Sequence, residues 1–319
     1  MPSPNTLFTE ITISTLFKRA GTLTDNVSKN NALVSYLKKK GKIRIEDGGT
    51  QIEQPLDLIE NNTYLRFSGY DPLLVQQNEV LTNATYPWVS AAVCVTASGE
   101  EIRKNSGESR IFNLVKARIK NAERTAANNM SVDVYSDGAL ANQIGGLASL
   151  ITNDGTGTVG GIVSGTFTGW KNQFFECTST PTAANIVPFM NALWMKTVRG
   201  VDQPDLIVFS HDLYSAYWAS QQELQRYMSS DAADAGFRAL KYHGVDVIFD
   251  SNVNFGTTAK VGYFLNSEYL ELVMHSLAQW TASDERVPTA QDAVIVPILF
   301  MGNMVCSNRS LQGKLIDIA

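Results

Sequence analysis

The chain has 319 residues, 44% of them hydrophobic, which is enough to build real cores in two domains or one elaborate one. No stretch approaches the ~20 consecutive apolar residues of a membrane span, and the opening MPSPNTLFTEITIS has neither the charged n-region nor the apolar h-region of a signal peptide, so the chain is expected to fold where it is made. The formal net charge of −5 is unevenly spread: the stretches Met1 to Glu46 and Arg103 to Arg124 are both basic, so the remainder is strongly acidic and two differently charged surfaces are expected.

The first forty residues are polar and rich in Thr, Ser and Asn, with a short amphipathic piece around Leu33, Tyr36 and Leu37, and read as an arm. From Lys42, KIRIEDGGTQIEQPL alternates apolar and polar residues about Asp47-Gly48-Gly49, a hairpin signal. A second alternating run, Thr63 to Ser68, is expected to pair back onto it, giving a ribbon between Ile43 and Val75. With few apolar residues of its own, such a ribbon is marginal in water and is expected to lie on another subunit.

Trp88 to Thr96 is a buried-strand candidate leading into a helix from about Gly107 to Tyr135. Ile111, Phe112, Val115, Ile119, Ala122, Ala126 and Met130 recur at three- and four-residue steps, while Arg110, Lys116, Lys120 and Arg124 fall on the opposite arc. At ~1.5 Å rise per residue the rod is roughly 40 Å long, suited to the spine of an elongated molecule near something anionic. Asn142 to Thr168, rich in Gly and Thr, reads as short strands and turns. Asn185 to Val198 reads as a helix with Pro188 in its first turn, PDLIVFS as a strand, Asp212 to Tyr227 as a helix capped by Asp212, and VDVIFD as a second strand. Strands alternating with helices indicate an α/β region. Lys260 to Met274 and Ala293 to Val305 are the last strand runs, the latter apolar enough to be buried on both faces, with Pro297 marking an edge or bulge.

Chemical motifs are sparse. Cys94, Cys177 and Cys306 are widely spaced and read as reduced, buried thiols. His211, His243 and His275 lack metal-ligand spacing, and the contiguous Ser210, His211 and Asp212 cannot converge as a triad on one strand. DGTGTVGG, with Gly155, Gly157, Gly160 and Gly161, lacks the strand before and helix after that a phosphate loop needs, and reads as a loop tip. No catalytic, cofactor-binding or metal-binding set is expected.

The order of these elements, and the wording TLFTEITISTLFKRAGTLTDNVSKNNAL, RIEDGGTQIEQPL, NLVKARIKNAERTAANNMSVDVYSDG, NQIGGLASLI, DLIVFSHDLYSAYW, FDSNVNF and CSNRSLQGKLIDIA, resemble the major capsid proteins of tailed phages, with the α+β Hong Kong 97-like fold. The resemblance covers essentially the whole chain. It implies an N-terminal arm over 1–40, an extended β-ribbon E-loop over 41–81, a P-domain with the spine helix over 82–138, an α/β A-domain over 139–284, and a return to the P-domain over 285–319.

It further implies a structural, non-enzymatic protein of the virion, assembled in the host cytoplasm into hexamers and pentamers around double-stranded DNA. DNA contact would be non-specific, and portal, scaffolding and decoration proteins are further partners; no membrane is. Genome-facing candidates are Arg110, Lys116, Lys120 and Arg124, and inter-subunit candidates on the E-loop are Ile43, Ile45, Ile52, Tyr64, Leu65 and Phe67. Some members of the fold are cross-linked through Lys and Asn; Lys42 or Lys104 with Asn61 are the corresponding candidates here, with no glutamate identified beside them. Two alternatives stay open: an encapsulin-like nanocompartment of the same fold, and a soluble α/β enzyme with a site among His211, Asp212 and Asp250.

Overall fold

The computed structural model describes residues 32–59, 61, 63–73, 80–104, 108–225, 240–253, 260–284 and 286–317, and the first 31 residues of the expected arm lie outside them. In chain order, α1 (Ala32–Lys39) and β1 (Ile43–Glu46) precede β2 (Ile52–Asp57), β3 (Leu81–Tyr86) and β4 (Val89–Ser98). The short α2 (Gly99–Lys104), the long α3 (Glu108–Asp133) and the single turn α4 (Leu147–Leu150) follow. Next come β5 (Thr158–Val159), β6 (Ile162–Val163), β7 (Gln173–Glu176), α5 (Ile186–Thr197), β8 (Leu206–Phe209) and α6 (His211–Gln225). The chain ends with β9 (Leu240–Tyr242), β10 (Val245–Phe249), β11 (Lys260–Leu265), β12 (Leu270–Ala282), β13 (Ala293–Cys306) and β14 (Gly313–Asp317).

Period-two alternation splits the apolar residues of one sheet between two cores. The order is β7-β14-β11-β8-β10-β9, with β10 parallel to β8, β14 parallel to β7, and β11 antiparallel to both β8 and β14. On β8, Ile207 and Phe209 face α5 and α6 and join Phe189, Leu193, Leu213 and Tyr217. Leu206 and Val208 face the other way, with Val261, Tyr263 and Ile316, into a larger core shared with the rest of the chain. β8 is thus buried on both faces, which is why PDLIVFS reads as an apolar run, whereas β10 buries Val245 and Val247 and leaves Phe249 exposed.

The second sheet has the order β1-β12-β13-β4. β13 pairs antiparallel with both β12 and β4, and β1 lies parallel to β12. The helix α3 packs against β4, and Ile119, Ala122, Ala126 and Met130 are buried as the helical spacing predicts. The side chains of Ile111, Phe112 and Val115 lie outside the described ones.

Several expectations are corrected. β1 and β2 do not form a hairpin: β1 pairs with β12, and β2 pairs with β3. Gly48 and Gly49, at φ 145° and 118°, redirect the chain from one sheet to another. Thr63 to Ser68 forms no strand. The β2-β3 ribbon is sheltered by its own chain, since Ile52, Leu56, Ala84 and Tyr86 are core residues and the β5-β6 turn lies on it through Thr85 N–H to Gly160 O at 3.0 Å. The run Lys260 to Met274 is two strands in two sheets, divided by a 3-10 turn at Ser267–Tyr269 that the Asn266 side chain caps by accepting from the Glu268 N–H.

Pro297 is neither at an edge nor beside a bulge in its own strand: β13 is an interior strand, Pro297 lies opposite Cys94, and its carbonyl accepts from Ser283. The irregularity sits on the partner β12, between Met274 and Thr281. The first part of β13 is half-buried and its last part fully buried. Cys94 is exposed because β4 alternates and forms the sheet edge, whereas Cys177 and Cys306 are buried. Asp212 is the second residue of α6, not its cap; the Ser210 carbonyl accepts from Tyr214 N–H. The chain passes from the six-stranded sheet to the four-stranded one between β11 and β12 and returns with β14.

Candidate assembly surface

Between β2 and β3 the chain leaves its own core. Tyr64 is 80% exposed, Phe67 61%, Tyr70 fully and Leu73 62%, with Leu65 and Ile59 also on the surface. Among them a tight turn is closed by the Ser68 N–H to Asp71 Oδ2 at 2.9 Å, with Gly69 at φ 55°. Large apolar side chains scattered singly on a surface are ordinary, but a run of this density along one loop marks an interaction surface. Fully burying each such side chain is worth about 1.5–3 kcal/mol, which the isolated chain does not collect.

Of the other inter-subunit candidates, Ile45 is 54% exposed and Ile43 is half-buried against the chain's own core. Ile52 is fully buried inside that core, so its contacts are internal and it is not available to a neighbour.

The candidate basic face lies on α3. Lys120 and Arg124 are exposed; the side chains of Arg110 and Lys116 are outside the described ones. Arg118, on the same helix, is engaged internally: one nitrogen bonds Glu101 Oε1 at 2.7 Å and another donates to the Thr96 carbonyl, pinning the helix to β4. The Arg118 guanidinium holds the Glu101 carboxyl below its usual range. Lys42 donates to the Glu268 carbonyl at 3.1 Å, and Asn61 Oδ1 accepts from the Thr63 N–H at 2.9 Å; the Lys104 side chain is not among those described.

The enzyme candidates lie at the neighbouring ends of β8 and β10, where Asp250 N–H donates to Phe209 O at 3.1 Å, but among the described residues no hydrogen bond or ion pair joins Asp250 to His211 or Asp212. His211 and Asp212 stand 3.9 Å apart at the exposed start of α6, while Asp250 is held by the Tyr135 hydroxyl at 3.0 Å and by Asn252. Among the described residues no group of three or more His, Cys, Asp or Glu is placed to hold a metal ion, and no helix is long and apolar enough to cross a membrane.

The sequence reading missed two buried cations near the C-terminus. Arg309 is fully buried in a 3-10 turn between β13 and β14. Its Nε donates to Leu150 O at 2.7 Å, Nη1 to Ser164 Oγ at 2.9 Å and Trp170 O at 3.1 Å, and Nη2 to Asn172 Oδ1 at 2.8 Å. The Trp170 ring lies 5.9 Å from the guanidinium. This fork clamps the Gly/Thr-rich segment to the turn joining the two sheets. Lys314, on β14, is 5% exposed with its ammonium 5.2 Å from the Tyr263 ring. The sequence signal for both is weak: each cation stands among short apolar and polar residues in VCSNRSLQGKLIDI.

No family model matches the sequence, and no curated protein matches it. Solved structures do. The chain is similar to a chain of the cyanophage A-1(L) capsid asymmetric unit at TM-score 0.61 and 13% identity, covering 86% of this chain and 89% of that one. It is similar to a chain of the capsid of a native GTA particle at TM-score 0.56 and 12% identity, over 88% and 89%. A weaker likeness, at TM-score 0.50 and 8% identity over 73% and 75%, is to the holo-SrpI encapsulin complex from Synechococcus elongatus PCC 7942. At these identities the common property is the path of the backbone, and on that ground this chain has the α+β fold of a bacteriophage capsid protein.

Proposed function

We propose that the chain is a tailed-phage major capsid protein that self-assembles into hexamers and pentamers, forming an icosahedral head around double-stranded DNA. One observation carries this reading: a chain with the capsid fold along most of its length also extends a loop of large apolar side chains that its own core leaves bare. The loop over 41–81 acts as the E-loop, with Tyr64, Leu65 and Phe67 burying themselves on a neighbouring copy, so that assembly completes the folding of each subunit. Residues 82–138, with α3 as spine, form the P-domain together with 285–319, and 139–284 form the A-domain, with β14 carrying the C-terminus back to the A-domain sheet. The arm over 1–40 precedes them.

Lys120 and Arg124, with Arg110 and Lys116 on the same arc, face the genome and touch phosphates without reading sequence. Portal, scaffolding and decoration proteins complete the list of partners, and the virion, assembled in the host cytoplasm, is the location. The protein is structural, in keeping with the structural role of the capsids it resembles.

The test is a triple substitution, Tyr64→Ser, Leu65→Ser and Phe67→Ser. The reading expects native-like circular dichroism with loss of closed particles; particles forming at the parent's concentration would contradict it. For the basic face, reversing Lys120 and Arg124 to Glu is expected to reduce the DNA content of particles and its salt dependence, and unchanged content would refute that assignment. The encapsulin likeness favours a second reading, a nanocompartment shell, which particles filled with protein and free of nucleic acid would establish.

A further inference from the structure

Two lysines of the six-stranded sheet are buried in different ways. Lys260 on β11 pairs with the buried Asp317 carboxylate at 3.2 Å. Lys314 on β14, opposite Tyr263 on β11, has no carboxylate within ion-pair distance among the described residues, although it is the more deeply buried of the two. Its ammonium meets the Tyr263 ring and feels Asp137 only through its field.

This ammonium lines a cleft of ≈ 770 Å³, bounded by the end of α3, the turn around Asp154 and the β11 and β14 strands. Several of the other donors on its wall are already used: Ser136 Oγ donates to Ile144 O, Gln143 Nε2 to Asp133, Asn252 Nδ2 to Asp250, Thr152 Oγ1 to Thr156 O and the Tyr135 hydroxyl to Asp250, while Asn153 and the Tyr263 hydroxyl also line it. The cleft also holds acids. Asp137 Oδ1 accepts from Ala139 N–H at 3.0 Å, and both Asp154 oxygens accept from Thr156. Both carboxylates are exposed, where water and salt screen them, while the lysine is at the floor, where charge is screened least.

We propose that this cleft is a binding site for a small oxyanion, inorganic phosphate or a carboxylate, whose oxygens supply Lys314 with the counter-charge that the chain itself leaves out. The geometry stands independently of the capsid reading, since it involves neither the exposed loop nor the basic face of α3. Burial pushes the Lys314 ammonium down to about 8, so an oxyanion that restores its charge gains from the binding. With one cation and two rim carboxylates, affinity in the millimolar range is expected.

The test is trace acetylation of the purified full-length protein with acetic anhydride at about pH 7.5, read lysine by lysine by mass spectrometry. It is run in chloride, inorganic phosphate and acetate of matched ionic strength. Labelling of Lys314 is expected to fall at least about threefold in phosphate, with exposed Lys196 unchanged. Protection by phosphate alone assigns a phosphate site, and protection by acetate as well assigns a general oxyanion site. Equal labelling of Lys314 in all three salts overturns the proposal. As a second reading, phosphate is expected to raise the melting temperature of the parent and not of Lys314→Met; a rise that persists in Lys314→Met also overturns it.

Discussion

The hydroxyl of Tyr135 donates a 3.0 Å hydrogen bond to Oδ2 of Asp250, joining the chain just beyond α3 to the end of β10. Tyr135 is buried and its ring stacks on Tyr263, 6.5 Å away between centroids, so the long helix and the six-stranded sheet share one apolar and polar joint. Removing the hydroxyl in Tyr135→Phe leaves the carboxylate short of a donor, and a cost of about 1.5–3 kcal/mol is expected. Chemical denaturation checks it, and the paired variant Tyr135→Phe with Asp250→Asn should cost less than the sum of the two single changes.

Alkaline pH should act in two opposite directions. Burial raises the Tyr86, Tyr135 and Tyr263 phenols above their ordinary value, and pushes the Cys306 thiol up to about 12. Groups raised in the folded state stabilise it fully below their unfolded values, and that stability is lost as pH rises past about 9 to 10. Lys314 runs the other way: its folded value of about 8 lies below the unfolded value, so its burial costs stability at neutral pH and the cost fades between about pH 8 and 10. Lys314→Met is therefore expected to be more stable than the parent at pH 7, by about 1–3 kcal/mol, with the difference shrinking toward pH 10. Melting curves of parent and variant across this range check it, since the tyrosine contributions cancel in the difference.

Arg309 is a fork, and its geometry should matter more than its charge. Arg309→Lys keeps the charge but cannot reach Leu150, Ser164, Trp170 and Asn172 together, so it should destabilise by about 3 kcal/mol or more, close to Arg309→Met. Full rescue by lysine in thermal unfolding would contradict this account.

Gly146 is required by proximity. A Cβ there would sit 2.4 Å from Asp133 O and 2.5 Å from Val134 O, where Leu147 N–H bonds Val134 O at 2.8 Å. Gly146→Ala must push the loop off the end of α3 and is expected to cost more than about 2 kcal/mol. Gly169→Ala, whose Cβ would meet nothing within 4 Å, should change unfolding by less than about 0.5 kcal/mol.

Legibility in the sequence followed the range of the interactions. α3 and α5 were readable because apolar residues at helical spacing are a local signal, β8 because a strand buried on both faces leaves a continuous apolar run, and β10 because its β-branched and aromatic residues form a short strand-like run. The pairing of β1 was not readable. Its alternation around Gly48 and Gly49 states that a strand exists, while its partner β12 lies more than 200 residues onward. The split between β11 and β12 was signalled only by the short polar break Asn266-Ser267-Glu268, with Asn266 as its cap, between two apolar runs.

Of the candidate surface, Tyr64, Leu65 and Phe67 are exposed on a segment that forms no strand, where alternation alone suggested one. Ile52 was misjudged because alternation gives two faces without naming which is covered. Arg309 and Lys314 escaped notice because a lone cation in sequence reads as a solvated one, and only the fold reveals its burial.

The most direct test of the central claim is electron cryomicroscopy of particles formed by the full-length chain, at a resolution that traces the backbone. The account predicts closed shells of pentamers and hexamers in which Tyr64, Leu65 and Phe67 of each subunit lie covered by a neighbour. Shells in which those side chains remain bare, or a chain that stays monomeric at every salt and protein concentration tried, would contradict it.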